Sequence, residues 1–223
     1  MKELEVTSLY DLNETIAGEY MKTAEYPWQL LANLYYCIVD LGKNLSPELF
    51  DEVSEKVWIA KSAQVAPTAI IEAPCIIDES AEIRHAAYIR GTAIIGKYAV
   101  VGNSCEIKNS ILFNWVQVPH FNYIGDSILG CKAHLGAGAV TSNVKADGTL
   151  VNIKAGKIFE SGLKKLGAML GDNVEVGCNA VLNPGTVVGR NTIVYPMSMV
   201  RGYVPADSIY KKQGDIANRI SAH

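Results

Sequence analysis

The chain has 223 residues, of which 49% are hydrophobic and 19% charged, and its formal net charge at pH 7 is −3. This composition is typical of a globular protein, and it argues against a nucleic-acid-binding surface, for which a basic domain is expected. No run of about 18 apolar residues predicts a membrane span, and the acidic first residues lack the apolar core of a signal peptide. The five cysteines form no CxxC pair, so we expect reduced thiols and a cytoplasmic protein.

Residues 1–56 contain no repeat. The run that begins Tyr26-Pro27-Trp28 predicts a helix with Pro27 near its start, and Ser46-Pro47 predicts the start of a second helix. The ends of a repeat domain need a covering element. We therefore expect residues 1–56 to be a helical cap over the N-terminal end of the repeats that follow.

An aliphatic residue recurs every six residues from Ile59 to Ile107, with Phe113 at the next step. The pattern slips between residues 113 and 129, resumes at Leu129, and returns at Leu170 after an excursion near residues 143–165. A helix would repeat every 3.6 residues and a simple strand every two. A period of six instead fits a short strand and a turn, with three hexads closing one triangular coil whose aliphatic residues stack into a core. The alternative, a β-sandwich, would require accidental spacing.

The hexads predict a mainly β domain over residues 57–205, followed by a tail, 206–223, that is expected to end in a short helix. The pattern resembles the left-handed parallel β-helix of hexapeptide-repeat proteins. Crossovers between parallel strands are normally right-handed, so the left hand is an expectation from this resemblance.

Within the slipped region stands the run HFNYIGDSILGCKAHLGAGAVTSN, residues 120–143. It resembles the acetyltransferase domain of the bifunctional glucosamine-1-phosphate acetyltransferase and N-acetylglucosamine-1-phosphate uridyltransferase family, and the resemblance covers most of residues 57–205. The resemblance implies acetyl transfer from acetyl-CoA to an amino sugar phosphate, with glucosamine-1-phosphate as the expected acceptor. Residues 1–56 contain no counterpart of the family's Gly-rich nucleotide-binding loop, so no uridyltransferase activity is expected from this chain.

The resemblance also implies roles for individual residues. His120 would be the general base that takes the amine proton, since a histidine titrates near neutral pH. Arg90 and Lys108 would hold the sugar phosphate, and Tyr123 and Asn143 would contact the sugar. The alternatives are a surface histidine, solvated cations on an outer face, and a hydrophobic wall residue at position 123.

Two positions depart from the family. His134 stands where the family has asparagine, and it is a candidate substrate contact with altered chemistry. The acetyl-CoA contacts would be Ala137, Cys178 and Pro196, and Cys178 replaces a serine. Because a thiol is a weak donor, a backbone N–H would have to stabilise the oxyanion.

The resemblance further implies a homotrimer with active sites between neighbours, and no metal, nucleic acid or membrane partner. A zinc enzyme of the γ-carbonic anhydrase type is a rival with the same fold, but His120 and His134 are too far apart in sequence to form its close pair of ligands. A non-catalytic nucleotide-sugar-binding or scaffold protein, and an acyltransferase acting on another amino sugar, also stay open.

Overall fold

The computed structural model describes residues 1–219, and its main feature is a β-solenoid of short, mostly parallel strands. The strands, numbered in chain order, form three long sheets that we call faces 1, 2 and 3. Face 1 consists of β1 (Phe50–Ser54), β2 (Val57–Ala60), β5 (Cys75–Ile77), β8 (Ala93–Ile95), β11 (Ser110–Leu112), β14 (Ile128–Leu129), β19 (Ala168–Leu170), β22 (Thr186–Val188) and β25 (Tyr203–Val204).

Faces 2 and 3 complete each coil. Face 2 consists of β3 (Gln64–Val65), β6 (Glu82–Ile83), β9 (Val100–Asn103), β12 (Gln117–His120), β15 (His134–Leu135), β20 (Glu175–Val176), β23 (Ile193–Val194), β26 (Ser208–Lys212) and β27 (Asp215–Asn218). Face 3 consists of β4 (Ile70–Ile71), β7 (Tyr88–Ile89), β10 (Glu106–Lys108), β13 (Tyr123–Gly125), β16 (Val140–Thr141), β21 (Val181–Leu182) and β24 (Met199–Val200).

The predicted aliphatic repeat forms the interior of the solenoid. In face 1, Ile59 pairs with Ile77 and Ile77 with Ile95, so equivalent residues of successive coils lie directly above one another. Ile77, Ile83 and Ile95 are at most 1% exposed. This stacking confirms the prediction of a repeat domain made of hexads.

The slip in the pattern between residues 113 and 129 does not interrupt the coil. The register places Leu112, and not Phe113, above Ile95, and it places Leu129 above Leu112. The coil therefore continues, with steps of five residues at Ile107–Leu112 and Ile124–Leu129. The turn in the preceding coil uses two residues with positive φ, Gly91 and Thr92, whereas the two short steps each use one, Asn109 (φ 46°) and Asp126 (φ 50°).

The N-terminal segment lies along the side of the solenoid, and not over its end as we expected. Its helices are α1 (Val6–Leu9), α2 (Gly18–Met21) and α3 (Leu34–Lys43), with 3-10 turns at Lys2–Leu4, Leu12–Glu14 and Pro27–Asn33. The Tyr10 hydroxyl donates to the carbonyl of Ile128, and Gly42 packs against the Trp58 ring. The segment follows face 1 because the outward residues of that face are apolar and need a cover. Those residues include Ile76, Ile94, Ile111, Ile128, Met169 and Val187.

The first predicted helix is confirmed as the turn at Pro27 that leads into α3, and its start is capped by the Gln29 side chain, which accepts from the Tyr26 N–H at 2.9 Å. The second is wrong: residues 46–49 form a turn in which the N–H of Phe50 donates to the Ser46 carbonyl. None of the helices within residues 1–219 is long and apolar enough to cross a bilayer.

The expected C-terminal helix is also wrong as far as residue 219. Strands β26 and β27 form an antiparallel hairpin that extends face 2, because Tyr210 continues the interior column by pairing with Val194. Residues 220–223, which include His223 and the end of the expected helix, lie outside the described residues.

The excursion between β16 and β19 is an ordered hairpin of β17 (Asn152–Ala155) and β18 (Lys157–Glu160). Phe159 packs edge-on against Trp28 and Tyr26, with ring centroids 6.3 and 5.5 Å apart. The hairpin thus joins the N-terminal segment in covering face 1.

Asp172 links the N-terminal segment to the solenoid. Its carboxylate accepts from the N–H of Asp11 and of Cys131, both at 2.8 Å, and pairs with Arg190 at 3.1 Å. Asp172→Ala leaves these donors without an acceptor, so we expect the free energy of unfolding to fall by about 1–3 kcal/mol. Urea unfolding measures it. The exposed Asp147→Ala is the control and should change stability by less than about 0.5 kcal/mol; equal effects of both would contradict the link.

Candidate functional site

One edge of the solenoid, where face 2 turns into face 3, carries four of the predicted site residues in successive coils. We call this edge the His120 corner, and its four residues are His120, Ala137, Cys178 and Pro196. Backbone hydrogen bonds connect the coils along it: Gly138 N–H to the His120 carbonyl (3.0 Å), Asn179 to Ala137 (2.9 Å) and Met197 to Cys178 (2.9 Å). The predicted base and the predicted CoA contacts therefore share one line.

The imidazole of His120 is exposed and makes no hydrogen bond or ion pair with any residue from 1 to 219. Its backbone is held by Asn122, which is buried and accepts from the His120 N–H at 3.1 Å. The Asn122 amide also donates to the carbonyls of Gly136 and Ala139 at 2.9 and 3.0 Å. Asn122 thus fixes the turn while the ring stays free for a ligand. The sequence analysis did not single it out.

The edge between faces 3 and 1 carries a second polar group, which we call the Asp126 cluster. The Asp126 side chain is only 5% exposed and lies 3.2 Å from the Lys108 ammonium. It also accepts from the amides of Asn109 at 2.8 Å and Asn143 at 2.5 Å. Asn143 reaches on to the Tyr123 hydroxyl at 3.2 Å. Three predicted residues, Lys108, Tyr123 and Asn143, therefore meet around the Asp126 carboxylate. The role of Asp126 was not predicted, although its place at a shortened turn in the sequence could have indicated it.

The Tyr123 side chain lies back over Gly125. A Cβ at position 125 would lie 2.7 Å from Tyr123 Cζ, closer than side chains approach one another. Burial, followed by the charge of Asp126, raises the pKa of the Tyr123 phenol. The phenol is therefore neutral and can donate to a ligand or accept from one.

The two predicted phosphate-binding cations are both paired with carboxylates. Arg90 occupies the equivalent of Lys108 one coil earlier, and its Nη1 lies 2.8 Å from Glu106. The hydrogen bond to Glu106 raises the pKa of the Arg90 guanidinium. Each of these two cations therefore has its own anion, although the arginine keeps further donors free.

His134 lies on face 2, apart from the Asp126 cluster on face 3. Its Nδ1 is 2.8 Å from the Glu175 carboxylate of the next coil. Within one chain, then, the structure does not bring His134 together with Tyr123 and Asn143. Across residues 1–219, no group of three or more His, Cys, Asp or Glu side chains is arranged to hold a metal ion.

Comparison with known proteins gives a family match and partial relatives. The GMPPB C-terminal domain family matches residues 71–193. The bifunctional protein GlmU of Methanococcus maripaludis is 38% identical over 112 residues, which are 49% of this chain and 27% of that protein. The bifunctional sugar-1-phosphate nucleotidylyltransferase/acetyltransferase of Sulfurisphaera tokodaii is 34% identical over 110 residues, 48% of this chain and 27% of that protein. The chain spans about a quarter of these curated relatives' length.

Two solved structures align with parts of the chain at low identity. A point mutant of AntD, an N-acyltransferase from Bacillus cereus, in complex with dTDP and coenzyme A is 19% identical with a TM-score of 0.37, covering 68% of this chain and 77% of AntD. The acetyltransferase domain of PglB from Neisseria gonorrhoeae is 17% identical with a TM-score of 0.29, covering 58% of this chain and 52% of that one. Neither alignment is close enough to indicate a shared activity.

Gly125→Ala tests the position of Tyr123. The new methyl group displaces the phenol from Asn143 toward solvent, so its pKa should fall back toward the ordinary value while the fold persists. NMR of ring-labelled tyrosine measures this pKa, and Tyr123→Phe identifies the signal. An unchanged Tyr123 pKa in Gly125→Ala would show that the glycine does not set the side chain's position.

Proposed function

The chain belongs to the GMPPB C-terminal domain family, and we propose that it is a CoA-dependent N-acetyltransferase acting on an amino sugar phosphate. We propose glucosamine-1-phosphate as the acceptor, in keeping with the resemblance of residues 120–143. The observation that carries the proposal is the His120 corner, where a free imidazole is in line with the expected CoA contacts in successive coils. The name of the Sulfurisphaera tokodaii relative, which includes acetyltransferase, supports it.

His120 acts as the general base. As the acceptor nitrogen attacks the thioester carbonyl, its proton passes to the imidazole, which afterwards gives it to the leaving CoA thiolate. The His120 imidazole has no hydrogen-bond partner among residues 1–219, so it can accept the amine proton without rearrangement. The backbone N–H of Cys178 donates to no acceptor in the same part of the chain, so it is available to the oxyanion.

The Asp126 cluster holds the sugar. Asn143 and Tyr123 offer an amide and a hydroxyl side by side, and Lys108 and Arg90 offer cations for the phosphate. Asp126 keeps Lys108 and Asn143 in position, so it is a positioning residue. A phosphate would share Arg90 with Glu106 through the remaining guanidinium donors.

The complete site needs two chains. His120 and Asp126 lie on opposite sides of β13, at the two edges of face 3. A strand of three residues spans about 10 Å, so a sugar phosphate held by Asn143 at one edge lies away from the imidazole at the other. We therefore propose a homotrimer in which the corner of one chain faces the cluster of its neighbour, with His134 on face 2 as a further contact.

A second candidate is a non-catalytic nucleotide-sugar-binding or scaffold protein. The observation that favours it is the position of His134, which stands where the family has asparagine, lies on face 2 away from the Asp126 cluster and pairs with Glu175 at 2.8 Å. A protein of this kind would bind a sugar ligand but release no CoA.

His120→Ala should lower acetyl transfer by about 100-fold to 10,000-fold, because the variant lacks the base. Release of free CoA from acetyl-CoA with glucosamine-1-phosphate measures it. His85→Ala is a matched control: His85 is exposed at the same corner two coils earlier and contacts Thr68 at 2.7 Å. The control should keep full activity. Turnover by His120→Ala equal to that of wild type would exclude this base, and no turnover by wild type with any amino sugar would favour the binding protein.

Mixed oligomers test the shared site. His120→Ala and Asn143→Ala chains should each be inactive alone, but co-assembled chains should regain about a quarter of wild-type activity, since random mixing leaves one interface in four intact. Activity of the mixture after co-expression measures it, with light scattering to determine the oligomeric state. Failure of a co-assembled mixture to regain activity would mean that each site lies within one chain.

A further inference from the structure

A buried carboxylate at the third edge of the solenoid, between faces 1 and 2, lacks a full set of partners. Asp78 follows β5 and is 1% exposed. Its Oδ1 accepts from the Glu79 N–H at 2.7 Å, but its Oδ2 receives no hydrogen bond from any residue in 1–219. The nearby cation Lys97 is engaged by Glu79. Burial raises the pKa of the Asp78 carboxyl. A buried acceptor without a donor is rare in folded proteins, and it costs free energy unless a ligand or water supplies the donor.

Asp78 lines a cavity of about 390 Å³, which we call the Asp78 cavity. One wall comes from the N-terminal segment through Asn13, another from the turn after α3 through Asn44 and Ser46, and the third from Glu79 at the solenoid edge. The volume lies in the range of small-ligand sites.

We propose that the Asp78 cavity binds a pyranose sugar. The free oxygen of Asp78 accepts from a sugar hydroxyl, and the amides of Asn13 and Asn44 can both donate and accept. Leu45 and Phe50, which also line the cavity, provide an apolar surface for the C–H face of the ring. A sugar can hydrogen-bond to the polar side chains of the cavity and pack its C–H face against the apolar ones, whereas a simple cation would contact only the polar side chains.

An exposed aromatic pair adjoins this edge. Tyr98 and Trp115 directly follow Lys97 and Asn114, two residues of the cavity wall. Their rings stack with centroids 4.1 Å apart and an angle of 12°, and both side chains are more than 40% exposed. Such a surface can stack against a further sugar or a nucleobase. The ligand's source is therefore either a free sugar or a nucleotide sugar, and both share the pyranose that the cavity recognises.

The cavity is separate from the proposed acetyl-transfer site. The His120 corner joins faces 2 and 3, the Asp126 cluster lies between faces 3 and 1, and the Asp78 cavity occupies the remaining edge. The inference therefore goes beyond the proposed acetyltransferase and does not depend on it.

The test is a binding experiment on the full chain. Methyl glycosides of glucose, mannose and N-acetylglucosamine, and UDP-N-acetylglucosamine, are screened by saturation-transfer NMR, and the Kd of the best probe is measured by calorimetry. Asp78→Asn removes the acceptor and Asn13→Ala removes a donor from the opposite wall. Each should raise the Kd by about tenfold or more, since tenfold corresponds to one lost interaction of about 1.4 kcal/mol. Thermal unfolding verifies that each variant is folded; if Asp78→Asn is not, Asn13→Ala carries the test.

Two controls locate the binding. Glu55→Gln neutralises an exposed carboxylate outside the cavity and should leave the Kd within about twofold of wild type. Asn143→Ala alters the Asp126 cluster and shows whether a probe binds at the proposed acceptor site. Binding lost in Asn143→Ala but kept in Asp78→Asn would place the sugar only at the acceptor site and overturn the proposal. So would the absence of saturation transfer from every probe. Binding of UDP-N-acetylglucosamine alone, with the same loss in Asp78→Asn, would identify the nucleotide sugar as the source.

Discussion

The two-sided burial of face 1 is the constraint on which the rest of the structure depends. A solenoid coil buries only its inward residues, but on this face the outward residues are apolar as well: Ile76, Ile94, Ile111 and Ile128 are all 0% exposed. Something must cover them, since exposing a row of isoleucines to water costs about 25 cal/mol per Å². The N-terminal segment and the β17–β18 hairpin supply that cover, and together they confine ligand access to the three edges and the two open faces.

The same cover gives the edges their different chemistry. At the edge between faces 1 and 2, the N-terminal segment forms one wall of the Asp78 cavity and is held to the coil by Asp172. At the edge between faces 3 and 1, the residues after the hairpin return to the coil beside the Asp126 cluster, where the Leu166 N–H donates to the Asn143 carbonyl at 2.9 Å. The His120 corner, remote from face 1, is left open. The edge at which we propose that CoA binds is therefore the one without a cover.

Much of the fold could be predicted from the sequence, because interior positions obey one period. The outward row of face 1 also repeats once per coil, in the residue before every third interior aliphatic. Its spacing is 18 residues in an unshortened coil, 17 where a turn is shortened and 41 across the excursion, so it is visible only after the coils are known. The shortened turns were not predictable in the same way. Phe113 is aromatic, buried and one residue from the true position, so a strict period of six selects it over Leu112. The position of a one-residue deletion can be determined only from the strand register, which depends on contacts between residues distant in sequence.

The site was predicted in part for a related reason. Resemblance identified the residues that point outward along two edges, but not their polar partners, which are the buried Asn122 and Asp126 and the half-buried Asn109. The roles of Asn109 and Asp126 depend on which turns are shortened. Removing one residue from the turns at Asn109 and Asp126 aligns these two side chains in successive coils, 2.8 Å apart. The carboxylate then gathers Lys108 and Asn143, which face the same way one coil below and one coil above. The deletion that obscured the repeat in the sequence is thus what assembles the cluster. Because β13 separates that cluster from His120, the acetyl transfer that we propose would join residues of two neighbouring chains.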